Sequence, residues 1–378
     1  MTKSIFINAS MITAKPTGVG IYNIELLKKL LPKLVKENID FVVYCYHPKL
    51  VEKFIDKDKI RILSLGPLLD KIFLRFVSVH RILWNLFVLN KAAAAYAMVY
   101  ALATYGSLNR KKQIITVHDL IALQFPRQHK FQYLYFKFIV PIILNNSVKI
   151  IAISNFTAKE ITKHYPKIKQ SKIEVVKNGI DHILDQSTAV SDDWVDKITH
   201  HKPFCLMVGA SYYHKNAETL LKVAKLLELN HIQFVVAGRP SLYYKSLMAD
   251  AKKQQVKNVF FMDYVDEATL SSLYKNAALH IYISLYEGFG FPPAEAAFYG
   301  TKTIISNHPA LLEIYADRFP SVEPKNAMMI AGLIKQNCFP IAKDARVYPI
   351  LKMMYNWEKT SVKVFELLTN AIIFIQQK

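Results

Sequence analysis

The chain has 378 residues, enough for two domains with their own cores. It is 52% hydrophobic, which excludes a disordered chain, and its three cysteines, Cys45, Cys205 and Cys338, are far apart. That spacing excludes a disulfide framework or a cysteine zinc site and fits a reducing compartment. The net charge is +20. Residues 1–181 carry 28 Lys/Arg against 11 Asp/Glu, and residues 182–378 carry 21 against 18, so the excess belongs to the first half. Such a field attracts nucleic acid, anionic lipid or a phosphorylated substrate, or serves only solubility. No aromatic and basic recognition motif accompanies it, so nucleic acid is set aside. The N-terminus has only a brief apolar run and no small-residue cleavage site, so no signal peptide is read.

The elements alternate along the chain. Residues 4–9 form a strand, "KPTGVG" a turn, and 21–35 an amphipathic helix broken near its end by Pro32. Residues 41–46 form the next strand. Residues 68–105 are the most apolar long region, but Arg75, His80, Arg81 and Lys91 interrupt it. No run reaches the roughly 18–20 apolar residues of a membrane span. The region reads as a helix lying on a membrane surface or as a buried core helix. Strands follow at 114–117, ending at His118-Asp119, at 148–153, and at 173–176. Ser154-Asn155 can cap a helix over 157–164.

A second, similar series starts with a strand at 204–208, then "GASYYHKN" and a helix over 217–229. Strands at 234–237, ending at "GRP", and 259–262 come next, then a helix over 267–276. The seam lies near 181–202, which is polar and irregular. Repeated strand and helix alternation predicts two open parallel α/β sheets. Ligands of such sheets bind at the carboxyl ends of the strands, so a cleft between two such domains is a natural site.

The segment "YISLYEGFGFPPAEAAFYGTKTIIS" follows, from Tyr282 to Ser306. A strand over 279–285 leads to Glu287. Gly288 and Gly290 permit backbone angles that other residues resist. Pro293 suits the first turn of a short helix over 293–299, and Gly300 ends it as a left-handed cap. A strand over 301–306 follows. Glu287 and Glu295, seven residues between them, thus flank a glycine loop at a helix start. A helix start favours phosphate, and carboxylates beside it suit sugar hydroxyls. A glycosidase pair of carboxylates has no use for a phosphate-binding loop, so that reading is set aside. Asp56-Lys57-Asp58 resembles a metal-binding D-x-D but lacks a supporting strand pattern. No His/Cys/Asp cluster suggests a metal.

"EGFGFPPAEA" resembles the E-x7-E signature of retaining glycosyltransferases of family 4, which have the GT-B architecture. In the right order stand "TGVGIYNIELLKKL", "VHDLIALQFP", "AISNFTAKEI", "VVKNGID", "HKNAETLLKVA", "VVAGRP" and "IISNHPALLEIYAD". The match runs from about residue 5 to 320 and looks most like bacterial enzymes that build O-antigen, capsule or exopolysaccharide with mannose or rhamnose. The resemblance implies two Rossmann-like α/β domains facing across a cleft. Residues 1–181 would bind acceptor and 182–356 nucleotide sugar, with a helix over about 357–378 returning to the first domain.

It also implies roles. Glu295 would take the ribose hydroxyls and Glu287 the donor sugar. The amides of Gly288, Phe289, Gly290 and Phe291 would hold the diphosphate or sugar, beside Gly209 and Arg239. Lys215 would neutralise the leaving diphosphate. His118 would touch the donor sugar, and Gly18 and Gly20 would let backbone approach phosphates or acceptor. Catalysis would keep the anomeric configuration and need no metal or other cofactor. Partners would be a nucleotide-sugar donor, a lipid-linked glycan acceptor, an anionic membrane surface and other glycan-assembly enzymes. The place would be the cytoplasmic face of the inner membrane, peripherally bound. Two departures stand out. Ala210 replaces an arginine that many members pair with the lysine, leaving Lys215 with Arg239 or His214 as helpers. Ile21 replaces a polar residue after the first glycine loop. A non-catalytic nucleotide- or glycan-binding scaffold and a sugar-nucleotide epimerase are the rival readings, the first kept open by Ala210.

Overall fold

The computed structural model describes residues 3–14, 16–56, 60–64, 77–109, 112–183, 193–338 and 343–377. Asp56-Lys57-Asp58, read as D-x-D, lies partly outside them, as does Arg75. The chain forms two compact units, Met1–His182 with Tyr355–Lys378, and Ile183–Met354.

The first unit carries a seven-stranded sheet in the order β3-β2-β1-β4-β5-β6-β7. Its strands are β1 (Ser4–Asn8), β2 (Asp40–Tyr44), β3 (Arg61–Leu63), β4 (Met98–Ala101), β5 (Gln113–Val117), β6 (Lys149–Ala152) and β7 (Ile173–Val175). All pairings are parallel. β1, β4, β5 and most of β2 are buried along their length, which is why they read as unbroken apolar runs rather than alternation. The order doubles back between β1 and β4, so the crevice beyond their carboxyl ends is this unit's switch point.

Residues 68–105 do not form one helix. Val77–Leu83, a π turn over Trp84–Val88 and Leu89–Ala92 are helical, and Met98–Ala101 is the central strand β4. Arg81 is not a surface cation. It is 5% exposed, donates from Nε to the Ser10 carbonyl at 3.1 Å, and stacks between the Tyr46 and Tyr105 rings. The carbonyl and the two π faces supply what a desolvated guanidinium needs.

The first helix spans Gly18–Lys36, starting earlier than its apolar period suggests and running through Pro32. A tyrosine, an asparagine and five leucines of this helix are buried. The Trp357–Gln376 helix packs against it, with the Tyr22 and Trp357 rings 5.7 Å apart. Asn356 caps that last helix through the Lys359 amide, and the Trp357 amide donates to Asp181 at 2.7 Å. Ser154 caps the Asn155–His164 helix through the Thr157 amide at 3.1 Å.

The second unit has a six-stranded parallel sheet in the order β10-β9-β8-β11-β12-β13. Its strands are β8 (Phe204–Val208), β9 (Gln233–Ala237), β10 (Val259–Met262), β11 (Leu279–Tyr282), β12 (Thr303–Ser306) and β13 (Ser321–Val322). The order reverses between β8 and β11. Its core joins the buried faces of β8, β9 and β11 to the Ala217–Leu226 and Ala327–Cys338 helices. Cys205 and Cys338, distant in sequence, meet there as free thiols.

Candidate active site

The second unit brings a lysine and a glutamate together at the reversal between β8 and β11. After β8 the chain turns at Gly209, whose φ is +81°, a region where a side chain would be strained. A single 3-10 turn, Tyr213–Lys215, follows. Asn216 then adopts a left-handed conformation, φ +63°, and opens the Ala217–Leu226 helix. Asn216 can hold that geometry because its side chain donates to the carbonyls of Ile283 (3.1 Å) and Pro324 (2.6 Å). The Leu285 amide donates to the His214 carbonyl at 2.7 Å. The loop after β8 is thereby tied to the loop after β11.

That tie brings Lys215 to Glu287. Lys215 Nζ donates to Glu287 Oε1 at 2.6 Å and to the Tyr282 hydroxyl at 2.9 Å. The Tyr282 hydroxyl donates to the same Oε1 at 2.8 Å. The two charged side chains are 16% and 11% exposed. Burial is the strongest single influence on Glu287 and raises its pKa. The Lys215 and His214 charges, with hydrogen bonds from Lys215 and Ser284, together outweigh it and hold the carboxyl below its usual range. Glu287 is therefore an anion at neutral pH. β11 stops at Tyr282, three residues short of the apolar run, because the chain must turn there to meet the Lys215 loop.

Glu295 lies in the Pro292–Phe298 helix and accepts from the Tyr274 hydroxyl at 2.8 Å. Burial raises its pKa, and the Tyr274 hydrogen bond and the Lys215 charge oppose that rise. The helix start itself supplies no amide to an anion. Pro292 and Pro293 carry no N–H, and the amides of Ala294 and Glu295 donate to the Phe291 carbonyl. The loop over residues 288–291 precedes the prolines. In that loop Gly290 takes φ +85°, and a Cβ there would lie 2.8 Å from Leu311 Cδ2. The Gly290 carbonyl accepts from the Tyr315 hydroxyl at 2.6 Å. Phe289 and Phe291 turn their rings inward, both buried. Gly300 is left-handed at φ +69°, as its position after the helix predicts.

The remaining candidates lie apart in chemistry. Arg239, at the end of β9, holds its guanidinium 5.1 Å from the Tyr264 ring. Ala210, where many members carry an arginine, is fully buried in the second unit's core. In the first unit, His118 follows β5 and is 8% exposed. Its Nε2 donates to the Leu102 carbonyl at 2.7 Å, which leaves Nδ1 as the acceptor nitrogen. Burial lowers its pKa to about 4, against a small rise from that hydrogen bond. Gly18 begins the first helix and is exposed. Gly20 is buried, and a Cβ there would lie 2.8 Å from Pro16 Cβ and 3.1 Å from the Met11 carbonyl. Close approach of chain to chain therefore favours glycine at this position.

Sequence reading missed Tyr282, Tyr274 and Asn216. The available signal was in β11, where His280 and Tyr282 alternate with Leu279 and Ile281 and so share one face. Among the described residues no group of three or more His, Cys, Asp or Glu could hold a metal, and no helix is long and apolar enough to cross a membrane.

Two Rossmann-like units with parallel sheets are the GT-B fold, and solved structures of that kind superpose on the chain. The Anabaena protein Alr3699/HepE, solved with UDP and glucose, covers 97% of this chain and all of its own length, at TM-score 0.67 and 14% identity. Sucrose-phosphate synthase from Thermosynechococcus elongatus covers 97% of this chain and 98% of its own, at TM-score 0.66 and 17% identity. At these identities the likeness speaks to the fold. Two family models match in sequence: Glycosyltransferase Family 4 over residues 17–183 and Glycosyl transferases group 1 over residues 190–337. Both models describe glycosyltransferases, one matching each unit, and together they take in most of the chain. It is 29% identical over 226 residues to the O-antigen chain mannosyltransferase RfbU of Salmonella typhimurium, a stretch covering 60% of each protein. It is 23% identical over 356 residues to the O-antigen chain mannosyltransferase B of Escherichia coli, covering 85% of this chain and 87% of that one. The match spans 60% of the Salmonella protein's length and 49% of that of an uncharacterized glycosyltransferase from Methanocaldococcus jannaschii.

Proposed function

We propose that the chain is a retaining transferase that moves a sugar from a nucleotide diphosphate to a lipid-linked glycan acceptor in bacterial surface-glycan synthesis. Mannose is the favoured sugar, because the Salmonella and Escherichia coli relatives are named mannosyltransferases. The observation that carries the reading is the Lys215–Glu287 pair at 2.6 Å, set at the switch point of the second sheet beside Glu295. A cation and an anion held side by side suit a donor that is charged at its diphosphate and hydroxylated at its sugar.

In this reading Lys215 and the amides of residues 288–291 take the diphosphate, Glu287 a sugar hydroxyl, and Glu295 the ribose. The bond from the anomeric carbon to the diphosphate oxygen breaks. A bond to the acceptor hydroxyl forms on the same face, and that hydroxyl's proton passes to the departing diphosphate. Lys215 stabilises the charge that develops there, so no metal is needed. His118 is proposed as a contributor from the first unit. Catalysis would take place at the cytoplasmic face of the membrane carrying the acceptor, with the protein bound peripherally.

The test uses purified protein with UDP-, GDP- and dTDP-sugars, reading melting temperature and transfer. One donor should raise the melting temperature and support transfer in excess EDTA. Glu295→Ala should mainly weaken that donor's binding, and Glu287→Ala should mainly reduce turnover. Wild-type behaviour of both variants, or loss of transfer in EDTA that Mg²⁺ or Mn²⁺ restores, would overturn the assignment.

A further inference from the structure

The charge excess of the first unit is matched by an apolar face that the sequence reading did not single out. Residues 130–145 form one continuous helical segment: Lys130–Leu134, a π turn over Tyr135–Ile139, and Val140–Asn145. Its inner side is anchored. Tyr135, Val140, Ile143 and Leu144 lie in a core cluster, and the Tyr135 hydroxyl donates to the Thr104 carbonyl at 2.9 Å. Its outer side carries Phe131 (76% exposed), Leu134 (53%), Phe138 (56%) and Ile142 (47%). These recur at intervals of three, four and four residues, so they form one stripe along the helix. Large apolar side chains in a row facing water mark a surface that meets something.

Charge says what it meets. Residues 120–159 contain five Lys/Arg and no Asp/Glu. Arg127, Lys130 and Lys137 are exposed on or beside the stripe, and Lys137 Nζ lies 5.4 Å from the Tyr133 ring and 5.5 Å from the Phe138 ring. Two acids border this stretch: Asp119 accepts from the Ile121 amide at 3.0 Å, and Glu160 is held by Lys163 at 3.2 Å, His164 at 3.4 Å and Gln124 at 2.9 Å. A groove of about 630 Å³ opens beside the stripe, between Tyr133, Pro141 and Ile142 on one side and Tyr165, Pro166 and Ile168 on the other. Its walls are mainly apolar side chains, and Lys137 and Lys167 also line it.

We infer that this face seats the protein on an anionic lipid bilayer. Phe131, Leu134, Phe138 and Ile142 would enter the boundary between headgroups and chains, the cations would meet phosphate headgroups, and the groove would take one acyl chain. An apolar stripe flanked by cations without interspersed acids is what an anionic interface selects, and a protein partner would need matched acids at fixed places. The inference rests on the reading that the chain works at a membrane, and it adds residues 130–145 to the 68–105 region, where Leu83 and Phe87 are also exposed.

The test is sedimentation of the full chain with vesicles of phosphatidylcholine alone or with about one-third phosphatidylglycerol. The wild type should bind the anionic vesicles, weakly or not at all the neutral ones, and less at high salt. The double variant Phe131→Ser, Phe138→Ser should bind at least tenfold more weakly. Lys130→Glu with Lys137→Glu should lose the salt-sensitive part. Both should keep the wild-type melting temperature and transfer to a water-soluble acceptor. Unchanged binding in both variants, equal binding to the two vesicle types, or a dimer that the phenylalanine variant dissociates would overturn the inference. Transfer without vesicle binding would sink the docking face and spare the transferase reading. Vesicle binding without transfer to any acceptor would do the reverse.

Discussion

The two units present the same topological place in opposite ways. In the first, the crevice between β1 and β4 is closed by its own polar groups. Asn8, at the end of β1, donates from Nδ2 to Asn85 Oδ1 at 2.5 Å and to the Tyr105 carbonyl at 2.7 Å. Arg81 seals against the Ser10 carbonyl, and Gly20 brings the next helix against Pro16. In the second, the crevice between β8 and β11 holds a paired lysine and glutamate that both stay partly open to solvent. Glu287 Oε1 is engaged twice, but the carboxylate is 11% exposed and Lys215 16%. One switch point is stabilised as packing, and the other is arranged as a charged grip. A fold that repeats its architecture need not repeat its site.

The sharpest way to break this contrast is Lys215→Ala. Glu287 would keep the Tyr282 hydroxyl but lose the cation that offsets its burial, so its pKa should rise. Loss of one charged group aimed at a developing anion costs about 10²–10³ in turnover. We expect kcat/KM to fall by that order, and a lysine replaced by arginine to restore only part, since a planar fork does not fit a single short contact. A variant within a few-fold of wild type would mean that the second crevice is no more a grip than the first.

The backbone plan of both units was legible because their strands are short apolar runs bounded by turn residues, and β8, β10 and the Glu267–Asn276 helix match their expected bounds. The E-x7-E spacing was legible because it is local. What failed was whatever depends on distant partners. β4 hides inside an alanine-rich apolar stretch whose helical and strand periods cannot be told apart, and only pairing with β1 and β5 decides it. Arg81 reads as a surface cation until Tyr46, Tyr105 and Ser10 are known to surround it. Tyr282 reads as core because most strand tyrosines are core. Its partner Lys215 lies 67 residues away, and no local pattern announces it.

A smaller effect tests the closure of the first unit by pH. His118 is buried neutral in the first unit with its pKa lowered to about 4, while in the unfolded chain it titrates near 6.5. The folded-state value is depressed, so below pH 6.5 the unfolded chain binds the proton that the folded one refuses. The stability is present above pH 6.5 and falls as pH drops toward 4. At about 1.4 kcal/mol per pH unit, the loss between pH 6.5 and 5 is about 2 kcal/mol for this residue. His118→Gln cannot titrate and should not show that share. Urea unfolding of both proteins at pH 7 and 5 checks it. His182, also lowered to about 4, and His280, to about 3, act with the same sign in both proteins and cancel in the difference. Equal pH slopes for wild type and variant would mean that His118 is solvated and not part of a closed first crevice.

The smallest expected effect tests whether the grip needs its scaffold. Tyr282 donates to Glu287 Oε1 and accepts from Lys215, so its hydroxyl fixes both charges from the buried end of β11. Its ring is packed in place, because the strand around it is fully buried. Tyr282→Phe keeps the ring and removes one hydrogen bond to a charged group, which is worth about 1.5–3 kcal/mol when intact. Lys215 can still reach Glu287 directly, so part of that is recovered, and about a tenfold fall in kcat is the expected remainder. The donor's KM should change little, since Glu295 and its Tyr274 partner are untouched. The readout that a merely structural role would not move is the pH profile. Without the tyrosine hydroxyl the carboxylate loses a donor to its charged form, its pKa rises, and the acid limb of kcat should shift upward. A fall in melting temperature with kcat and acid limb unchanged would make Tyr282 ordinary core, and the charged grip would then rest on Lys215 and Glu287 alone.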